Sequence, residues 1–432
     1  MPQRLDASSQ TFAAEFAEFL TAKRDTEAAA DRTAADIVAA VRAEGDAALF
    51  AYTERFDRFH VGPETVRILP EEMAAAYDQT PAAQRTALQL ASARIRAFHE
   101  AQRPQDLSWT DAAGVRLGLR WTALESVGVY VPGGTAAYPS SLLMNVIPAK
   151  VASVERIAMA VPTPDNRLNP LVLAAAHIVG VDEAYRIGGA QAVAAFAYGT
   201  DSVPAVDKIV GPGNAYVVAA KRIVFGRVGI DTIAGPSEVL VVAEPGQAPA
   251  EWLAADLLAQ AEHDAAAQSI LISTDAELLD EVEAAVEALL AKLPRGEIAA
   301  ASWRDHGALI LVPALEAALP LVNAIAPEHL QLVLADADVF AAKVRHAGAI
   351  FLGAHTPEAV GDYVGGPNHV LPTDRSARFS SGLSLYDFLK RMTLLGCDAA
   401  SLAEIGPAAV TLAEAEGLDA HALSVALRLR RG

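Results

Sequence analysis

The stretch VGVYVPGGT (127–135) decides the fold class, because a short β-branched run, Val127–Val131, ends in a turn of proline and glycine. The same pattern of a strand-like run followed by a helical stretch recurs along the chain. The next runs are Arg156–Val161, Glu183–Ile187 and Lys208–Val210. Strands that alternate with helices predict a parallel sheet with helical crossover connections.

A second series of strands and helices predicts a second α/β unit. Its predicted strands are Glu238–Ala243, Ser269–Ser273, Ala308–Val312, Leu330–Leu334 and Ala349–Leu352. Its predicted helices are Ala250–His263, Ala276–Leu293, Ala314–Ile325 and Val339–His346. The glycine- and proline-rich junctions Val131–Gly134 and Gly235–Ser237 indicate that the first unit is an inserted domain.

Both ends of the chain are predicted to be helical. Apolar residues recur at helical spacing in Thr33–Phe56 and Pro81–Gln102, within a segment that extends to about Thr122. A final helical segment, Leu383–Arg431, follows the loop-rich stretch Pro357–Arg378. The expected division is an N-terminal helical arm (1–25), a first α/β domain (26–129 and 239–381), an inserted α/β domain (130–238) and a C-terminal helical segment (382–432).

The composition predicts a folded protein that acts on small molecules. The 432 residues are 52% hydrophobic and 20% charged, as in globular proteins. A net charge of −19 argues against nucleic-acid binding. Charged residues among the first 25 argue against a signal peptide, and no apolar run reaches the ~18–20 residues of a membrane-spanning helix. We expect a soluble, cytoplasmic protein without membrane or nucleic-acid partners.

The helical stretch AEWLAADLLAQAEHD (250–264) is the first candidate site. On a regular helix Asp256, Gln260 and His263 share one face, so Gln260 and His263 can reach one ion. An amide oxygen beside an imidazole nitrogen suits zinc or manganese when other donors complete the shell. Taken alone, such a face is more often ordinary solvated surface.

Two further segments pair an acidic residue with a histidine. In APEHL (326–330), Glu328 and His329 offer two bases of different pKa before a strand; the alternative is that they only end a helix. In GDYVGGPNHVLPT (361–373), an irregular loop presents Asp362 and His369 as metal or amine ligands. The alternative role of Asp362 is to cap a turn.

A fourth pair, Glu416 and His421, lies in AEAEGLDAHALSV (413–425). Two residues five positions apart do not lie on the same face of a regular helix, so Gly417 is expected to open a turn between them. As an isolated pair they are ordinary surface residues.

Glycine-rich turns provide candidate cofactor contacts, although the GxGxxG turn of a standard dinucleotide site is absent. The turns are Val129–Thr135, Gly188–Ala192 and Gly211–Tyr216. Backbone amides in such turns can approach phosphate oxygens. Each turn taken singly is also a common connection between a strand and a helix.

In this order, the segments resemble the histidinol dehydrogenase family over nearly the whole chain. The resemblance is carried by VGVYVPGG, GGAQAVAA, DKIVGPGN, AGPSEVLV, DLLAQAEHD, APEHL, GDYVGGPNHVLPT and EGLDAH. It implies an α/β fold of two incomplete Rossmann-like parallel-sheet domains. It also implies helical N- and C-terminal segments that exchange between the subunits of a homodimer.

The resemblance further implies the site residues. One zinc ion per subunit is expected on Gln260, His263, Asp362 and His421 of the partner subunit. The expected contacts to the substrate, L-histidinol, are Ser237, Gln260, His263, Glu328, His329, Asp362, His369, Glu416 and His421, the last two from the partner subunit. The expected NAD+ contacts are Tyr130, Gln191 and Asn214.

The implied reaction oxidises L-histidinol to L-histidine in two steps. We expect His329 to remove the hydroxyl proton while hydride leaves, and Glu328 to activate the water that adds to the aldehyde. A thiohemiacetal on a cysteine is the other known route. The single cysteine, Cys397, is distant in sequence from every candidate segment, and we expect it to be a packing residue.

Three rival functions are weighed against this one. A family relative could oxidise another small amino alcohol or polyol, but Glu416, His369 and Asp362 together suit a cationic substrate. A zinc hydrolase would use Glu328 as base for metal-bound water, and the glycine-rich turns argue against it. A non-catalytic zinc scaffold would tolerate replacement of Glu328 and His329.

Overall fold

The structure is a computed structural model and describes residues 1–21, 27–133, 138–233 and 235–430. Parts of all four predicted segments therefore lie outside the described residues: residues 22–25 of the N-terminal arm, residue 26 of the first α/β domain, residues 134–137 and 234 of the inserted domain, and residues 431–432 of the C-terminal segment. Gly134 and Thr135 of the first glycine-rich turn are among them.

The strands are β1 (Gln3–Asp6), β2 (Arg67–Ile68), β3 (Leu107–Thr110), β4 (Arg116–Ala123), β5 (Ser126–Tyr130), β6 (Arg156–Ala160), β7 (Glu183–Tyr185), β8 (Lys208–Val210), β9 (Gly229–Ile230), β10 (Glu238–Ala243), β11 (Gln268–Ser273), β12 (Ala308–Leu311), β13 (His329–Val333), β14 (Ala349–Leu352) and β15 (Leu389–Gly396).

The α-helices are α1 (Phe12–Thr21), α2 (Glu27–Glu44), α3 (Asp46–Asp57), α4 (Pro70–Gln79), α5 (Ala82–Glu100), α6 (Pro139–Val151), α7 (Pro170–Val179), α8 (Gly189–Tyr198), α9 (Ala215–Val224), α10 (Ala250–Ala261), α11 (Ala276–Leu290), α12 (Gly296–His306), α13 (Leu315–Ile325), α14 (Ala337–Ala341), α15 (Glu358–Tyr363), α16 (Ala399–Ala415) and α17 (Asp419–Leu429). Short 3₁₀ helices span Pro164–Asn166, Ser376–Arg378 and Leu385–Phe388.

The first compact unit comprises Met1–Ala101 and Glu125–Asp387 and contains two six-stranded sheets. Sheet A has the order β1-β12-β11-β10-β13-β14, and its strands are parallel. Sheet B has the order β2-β7-β6-β5-β8-β9; β2 is antiparallel to β7 and the other strands are parallel. In each sheet, five successive strands are ordered third, second, first, fourth, fifth, as in a Rossmann fold.

Sheet A is covered on both faces because its central strands are continuous apolar runs. Every residue of β10 is buried. Leu240 and Val242 belong to one core cluster, with residues of α1, α13 and α14. Val239 and Val241 belong to another, with residues of α10, α11 and α12. This alternation follows the two-residue period of a strand.

Sheet B packs against α2, α3, α8 and α9 on one face, in a core that includes the fully buried Phe196. Gly128, in the middle of β5, allows this packing, because a Cβ at that position would lie 2.7 Å from the Phe196 ring. The glycine of the VGVYVPGGT stretch is therefore a close-approach position between sheet and helix.

The expected α/β fold with parallel sheets is confirmed. Each strand predicted in the two series is present, with bounds that differ by two residues at most. Four predicted helices differ from the structure: Thr33–Phe56 is interrupted at Gly45 (φ 59°), Ala250–His263 ends at Ala261, Ala276–Leu293 ends at Leu290, and Val339–His346 is replaced by α14.

Both terminal segments contain the expected helices, but they also contain strands. The N-terminal arm begins with β1, which pairs with β12, and the segment before Thr122 also contains β2, β3 and part of β4. The C-terminal segment contains β15, which pairs with β4 along its length. β1, β2 and β3 have four residues or fewer, too short to show alternation, and their partners are distant in sequence.

The residues expected to join the first α/β domain, 26–129, instead contribute largely to sheet B. β2 pairs with β7, and α2 packs against α8 and α9. The apolar face of α2 explains this placement, because Ala34, Ile37 and Val38 are buried in the core of sheet B.

The second compact unit comprises Gln102–Leu124 and Phe388–Gly432. It contains a three-stranded antiparallel sheet of order β15-β4-β3 and the packed helix pair α16 and α17. Gly417, with φ 72°, lies between the two helices, as the spacing of Glu416 and His421 predicted. Across the described residues of the whole chain, none of the helices combines the length and apolar character needed to cross a membrane.

Candidate active site

A cavity of about 560 Å³ in the first unit collects most of the predicted site residues. One wall is the carboxyl edge of sheet B, where Tyr130 ends β5 and Gly211–Asn214 follows β8. The other wall is the amino edge of sheet A, where Ser237 precedes β10 and His329 begins β13. Because β5 and β8 are the strands at which the order of sheet B reverses, this is the position at which such sheets bind ligands.

His329 is held as a neutral imidazole with one nitrogen available. Its Nδ1 lies 3.0 Å from the carbonyl oxygen of Glu238, which can only accept, so Nδ1 carries the proton. Nε2 is buried and has no hydrogen-bond partner within the described parts of the chain. Burial, with smaller contributions from the nearby His369 and His263, lowers the pKa of His329 to about 3, although the Glu238 hydrogen bond opposes this.

Three carboxyl groups surround this imidazole. Glu328 Oε2 lies 3.7 Å from Nδ1 and accepts a hydrogen bond of 2.9 Å from the Glu238 amide. Glu358 Oε1 lies 3.8 Å from Nδ1, and Asp362 Oδ1 lies 3.8 Å from Nε2. Burial raises the pKa of Asp362 to about 6. Burial, followed by the charges of Asp362, Glu328 and Asp256, raises the pKa of Glu358 well above its usual range.

Gln260 and His263 line the same cavity. Gln260 is 1% exposed and its Oε1 has no partner among the described residues, so the solvated-surface alternative is wrong for it. His263 lies beyond the end of α10, because the predicted helix stops at Ala261. Burial lowers the pKa of His263, which Glu262 opposes and Arg295 reinforces.

Asp362 and His369 are joined through the backbone. His369 Nδ1 donates to the carbonyl oxygen of Asp362 at 3.0 Å, and Nε2 lies 3.3 Å from Ser141 Oγ. Burial lowers the pKa of His369 to about 4. Both residues line the cavity, and Asp362 lies near the end of α15.

The expected cofactor residues lie at the carboxyl edge of sheet B. Tyr130 Oη accepts a hydrogen bond of 3.1 Å from the Gly189 amide, and burial raises the pKa of Tyr130 to about 12. Asn214 caps α9, accepting from the amides of Tyr216 and Val217. Tyr130 and Asn214 line the cavity. Gln191 is buried against the turn, where a Cβ on Gly189 would lie 2.7 Å from its Oε1.

Glu416 and His421 belong to the second unit, and both are exposed there. Cys397 belongs to the same unit and is an exposed free thiol, so its expected packing role is wrong. Within the part of the chain that the structure describes, no three His, Cys, Asp or Glu side chains are arranged to hold a metal ion.

Sequence reasoning missed two residues that lie beside the histidines of this site. Glu358 is 2% exposed and lines the cavity; its only local signal is that it precedes Asp362 by one helical turn. Ser141 also lines the cavity, beside His369. It lies in α6, in an apolar stretch with no pattern that indicates chemistry.

Two Rossmann-ordered sheets, with a cavity at the switch point of one and a buried neutral imidazole on the other, form a site suited to a nucleotide-dependent oxidoreductase. The chain matches the model of the histidinol dehydrogenase family over residues 20–429. It is 61% identical to histidinol dehydrogenase of Rhodospirillum rubrum, over 100% of both chains. It is 60% identical to that of Ruegeria pomeroyi, over 100% of this chain and 99% of the relative.

A solved structure agrees with this assignment. The crystal structure of histidinol dehydrogenase from Elizabethkingia anophelis superposes with a TM-score of 0.95 and 35% sequence identity, covering 100% of this chain and 98% of that one. The chain belongs to the histidinol dehydrogenase family, and it is an NAD-linked oxidoreductase.

A first prediction concerns the buried carboxyl group of Asp256, whose pKa burial raises to about 6 although the Gln331 amide opposes this. Because the folded pKa lies above the unfolded one, the stability conferred by protonation is present below about pH 4 and is lost as the pH rises through 6. Asp256→Asn removes this loss. Its new amide can also donate to Gln331 Oε1, which is buried and has no partner among the described residues.

The expected result is a gain in the free energy of unfolding that grows from near zero at pH 4 to about 2 kcal/mol at pH 7.5, after allowance for partial exposure. Urea unfolding of both proteins across this pH range measures the gain. A difference that is constant with pH, or a loss at pH 7.5, would contradict the assignment.

Proposed function

We propose that the chain converts L-histidinol to L-histidine through bound L-histidinal, reducing two NAD+ and consuming one water, as the last steps of histidine biosynthesis. The single observation that carries the mechanism is the buried, unprotonated Nε2 of His329, on an imidazole whose Nδ1 lies 3.7 Å from the Glu328 carboxyl group. A base with a free lone pair and a second carboxyl base next to it are what two successive oxidations require.

In the first step, the hydroxyl proton of histidinol passes to Nε2 of His329 while hydride passes from the carbon to NAD+. An aldehyde has no hydroxyl proton to release, so water must add before a second hydride can leave. Glu328 takes a proton from this water as the water oxygen bonds to the carbonyl carbon, and the protonated His329 returns its proton to the carbonyl oxygen, which gives a gem-diol and a neutral imidazole. His329 then takes a proton from the gem-diol as the second hydride leaves, and the carboxylic acid is formed.

The charge of the cavity suits a cationic substrate. Glu328, Glu358 and Asp362 surround the reacting position, whereas the basic residues Lys221 and Arg222 of the lining are paired with Asp231 and Asp31. An anionic substrate would place like charges together in a buried site. The protonated amine of histidinol, in contrast, is stabilised by this acidic wall.

Gln260, His263 and Asp362 are suitable zinc ligands, and we propose that they bind one zinc ion with His421 of the partner subunit. The fit rests on the buried Oε1 of Gln260, which lacks any partner in the described chain, and on the lowered pKa of His263, which leaves a neutral nitrogen donor. When bound, zinc supplies a Lewis acid that orients the amino alcohol. Ser237 and His369 would add polar contacts to the substrate from the cavity wall.

A homodimer with shared active sites is the assembly that we propose. Glu416 and His421 are exposed in the second unit, on the same helical hairpin as exposed apolar side chains. These side chains are Leu412, Leu418, Leu423 and Leu427. Exposed apolar surface of this kind is typical of an interface, and a second copy would bring Glu416 and His421 to the cavity of the first.

The cofactor site that we propose is the carboxyl edge of sheet B, with contacts from Tyr130, Gln191 and Asn214. The N-terminus of α9, capped by Asn214, offers backbone amides and the positive end of a helix dipole to the pyrophosphate.

The proposed reaction predicts a fixed stoichiometry. Two molecules of NADH form for each histidinol consumed, and a chelator that removes zinc abolishes turnover until zinc is restored, because substrate is then no longer oriented. NADH absorbance combined with chromatographic determination of histidinol and histidine measures this ratio. One NADH per substrate, or turnover without NAD+, would contradict the proposal; the latter would favour a hydrolase.

The two bases predict different substitution effects. His329→Asn should lower kcat for both oxidations by about 10²–10⁴-fold, because a general base is lost from each step. Glu328→Gln should lower oxidation of added L-histidinal at least about ten-fold more than oxidation of histidinol, because Glu328 acts on water. Glu316→Gln, an exposed substitution of the same type in α13, is the control. Equal losses in both steps for Glu328→Gln would oppose the assigned role.

The shared site predicts complementation. His329→Asn and His421→Asn variants should each be inactive, and a mixture that exchanges subunits should recover activity, because one site of each mixed dimer is intact. Recovery near a quarter of the wild-type activity is expected from about half of the dimers being mixed, each with one intact site. Each variant exchanged with itself is the control. Absence of recovery despite exchange shown by mass spectrometry would exclude a shared site.

A further inference from the structure

The turn Gly211–Asn214 joins β8 to α9 at the switch point of sheet B, and all of its residues line the cavity. Gly211 has φ 113°, a conformation that side-chain-bearing residues rarely adopt. A Cβ there would lie 2.1 Å from the carbonyl oxygen of Tyr130. The turn therefore starts at a position where the backbone of β8 lies directly against the end of β5.

Both backbone polar groups of Gly211 are held by one buried ion pair. Asp231 Oδ2 accepts a hydrogen bond of 2.7 Å from the Gly211 amide. Lys221 Nζ donates to the Gly211 carbonyl oxygen at 3.1 Å and forms a salt bridge with Asp231. The side chains of Lys221 and Asp231 are 4% and 3% exposed. Lys221 comes from α9 and Asp231 follows β9, so two separate elements hold a single residue.

A buried ion pair such as Lys221–Asp231 is a weak source of stability by itself. Removing two charges from water costs several kcal/mol per ion, and apolar replacements of similar volume are often as stable. A salt bridge does fix geometry. The carboxylate accepts from one backbone amide and the ammonium donates to the carbonyl oxygen of the same residue, so the backbone there has little freedom to move. Here the fixed peptide begins the turn that ends at Asn214.

We infer that Lys221 and Asp231 are positioning residues for NAD+: they hold the Gly211–Asn214 turn in the conformation that binds the cofactor. This inference rests on the proposed cofactor site at Asn214 and Tyr130. The pair sets the affinity for NAD+ through the turn and leaves the histidinol half of the cavity unaffected, because His329 and its hydrogen-bond partner Glu238 belong to strands of sheet A.

A competing explanation is that Lys221 acts only as a positive charge that attracts an anionic cofactor. Arg222 separates the two explanations. It is the next residue on α9, lines the same cavity and forms a salt bridge of 3.1 Å with Asp31. Its side chain is 40% exposed and its guanidinium donates to Asp31 Oδ1, whereas the Gly211 carbonyl oxygen accepts from Lys221. If charge alone attracts the cofactor, substitution of Arg222 and of Lys221 should weaken NAD+ binding to a similar extent. If Lys221 positions the turn, only substitution of Lys221 should weaken it.

The test compares four variants by their dissociation constants for NAD+ and histidinol, measured by calorimetry on the zinc-loaded protein. Lys221→Met with Asp231→Leu removes both anchors of Gly211 without leaving a buried unpaired charge, so the protein is expected to fold. Lys221→Arg keeps the charge and the donors. Arg222→Met is the matched control for charge, and Asn214→Ala tests the proposed cofactor site itself. Circular dichroism and thermal unfolding establish that each variant is folded.

The expected result is a rise in the Kd for NAD+ of about ten-fold or more for the double variant, with the Kd for histidinol within about two-fold of wild type. Lys221→Arg should retain most of the wild-type affinity for NAD+. Arg222→Met should change the Kd for NAD+ by less than about three-fold. If the pair has a purely structural role, the double variant should instead weaken the binding of both ligands together or lower only the unfolding temperature.

The inference is overturned if Asn214→Ala weakens NAD+ binding and the double variant does not, or if Arg222→Met weakens it as much as the double variant. It is also overturned if histidinol binding falls equally. If Asn214→Ala has no effect while the double variant weakens NAD+ alone, the assigned contact of Asn214 fails and the role of the ion pair stands.

Discussion

The hydrogen bond from His329 Nδ1 to the Glu238 carbonyl oxygen is the interaction on which the chemistry of the cavity depends. It joins the first residues of two adjacent parallel strands, β13 and β10. Because a carbonyl oxygen cannot donate, the bond fixes the tautomer and leaves Nε2 as an acceptor. The Glu238 amide donates to Glu328 in the same place, so one peptide region orients both proposed bases. The strand register therefore sets the geometry of the two proposed bases.

Burial gives these groups their properties. Desolvation keeps His329 and His369 neutral and raises the pKa values of Asp362 and Glu358. A cationic ligand offsets part of this cost because it restores a partner to the carboxyl groups. The acidic wall is thus unfavourable when empty of cations and favourable when an amine is bound. This difference is a source of selectivity that does not require any contact specific to the imidazole ring of the substrate.

Much of the fold could be predicted from sequence because the central strands of both sheets, such as β10 and β5, are largely buried apolar runs that stand out locally. β1 and β15 could not, since each is defined by a partner strand hundreds of residues away. The candidate site divides in the same way into residues with a local sequence signal and residues without one. Glu328, His329, Asp362 and Gln260 lie in distinctive strings, and the cavity brings them together. Glu358 has no such string: its significance comes from its distance to His329, which only the folded chain creates.

The two walls of the cavity also differ in the helix ends that they present. At the carboxyl edge of a parallel sheet the following helices begin, and at the amino edge the preceding helices end. Sheet B therefore presents the N-terminus of α9 at Asn214, while sheet A presents the C-termini of α10, beside Gln260, and of α13, before Glu328. A helix N-terminus favours an anion and a C-terminus a cation, each by about 0.3–1 kcal/mol. The carboxyl edge of one Rossmann-ordered sheet thus faces the amino edge of another across the cavity. The helix ends of the backbone alone make one side suit a dinucleotide pyrophosphate and the other a cationic amino alcohol.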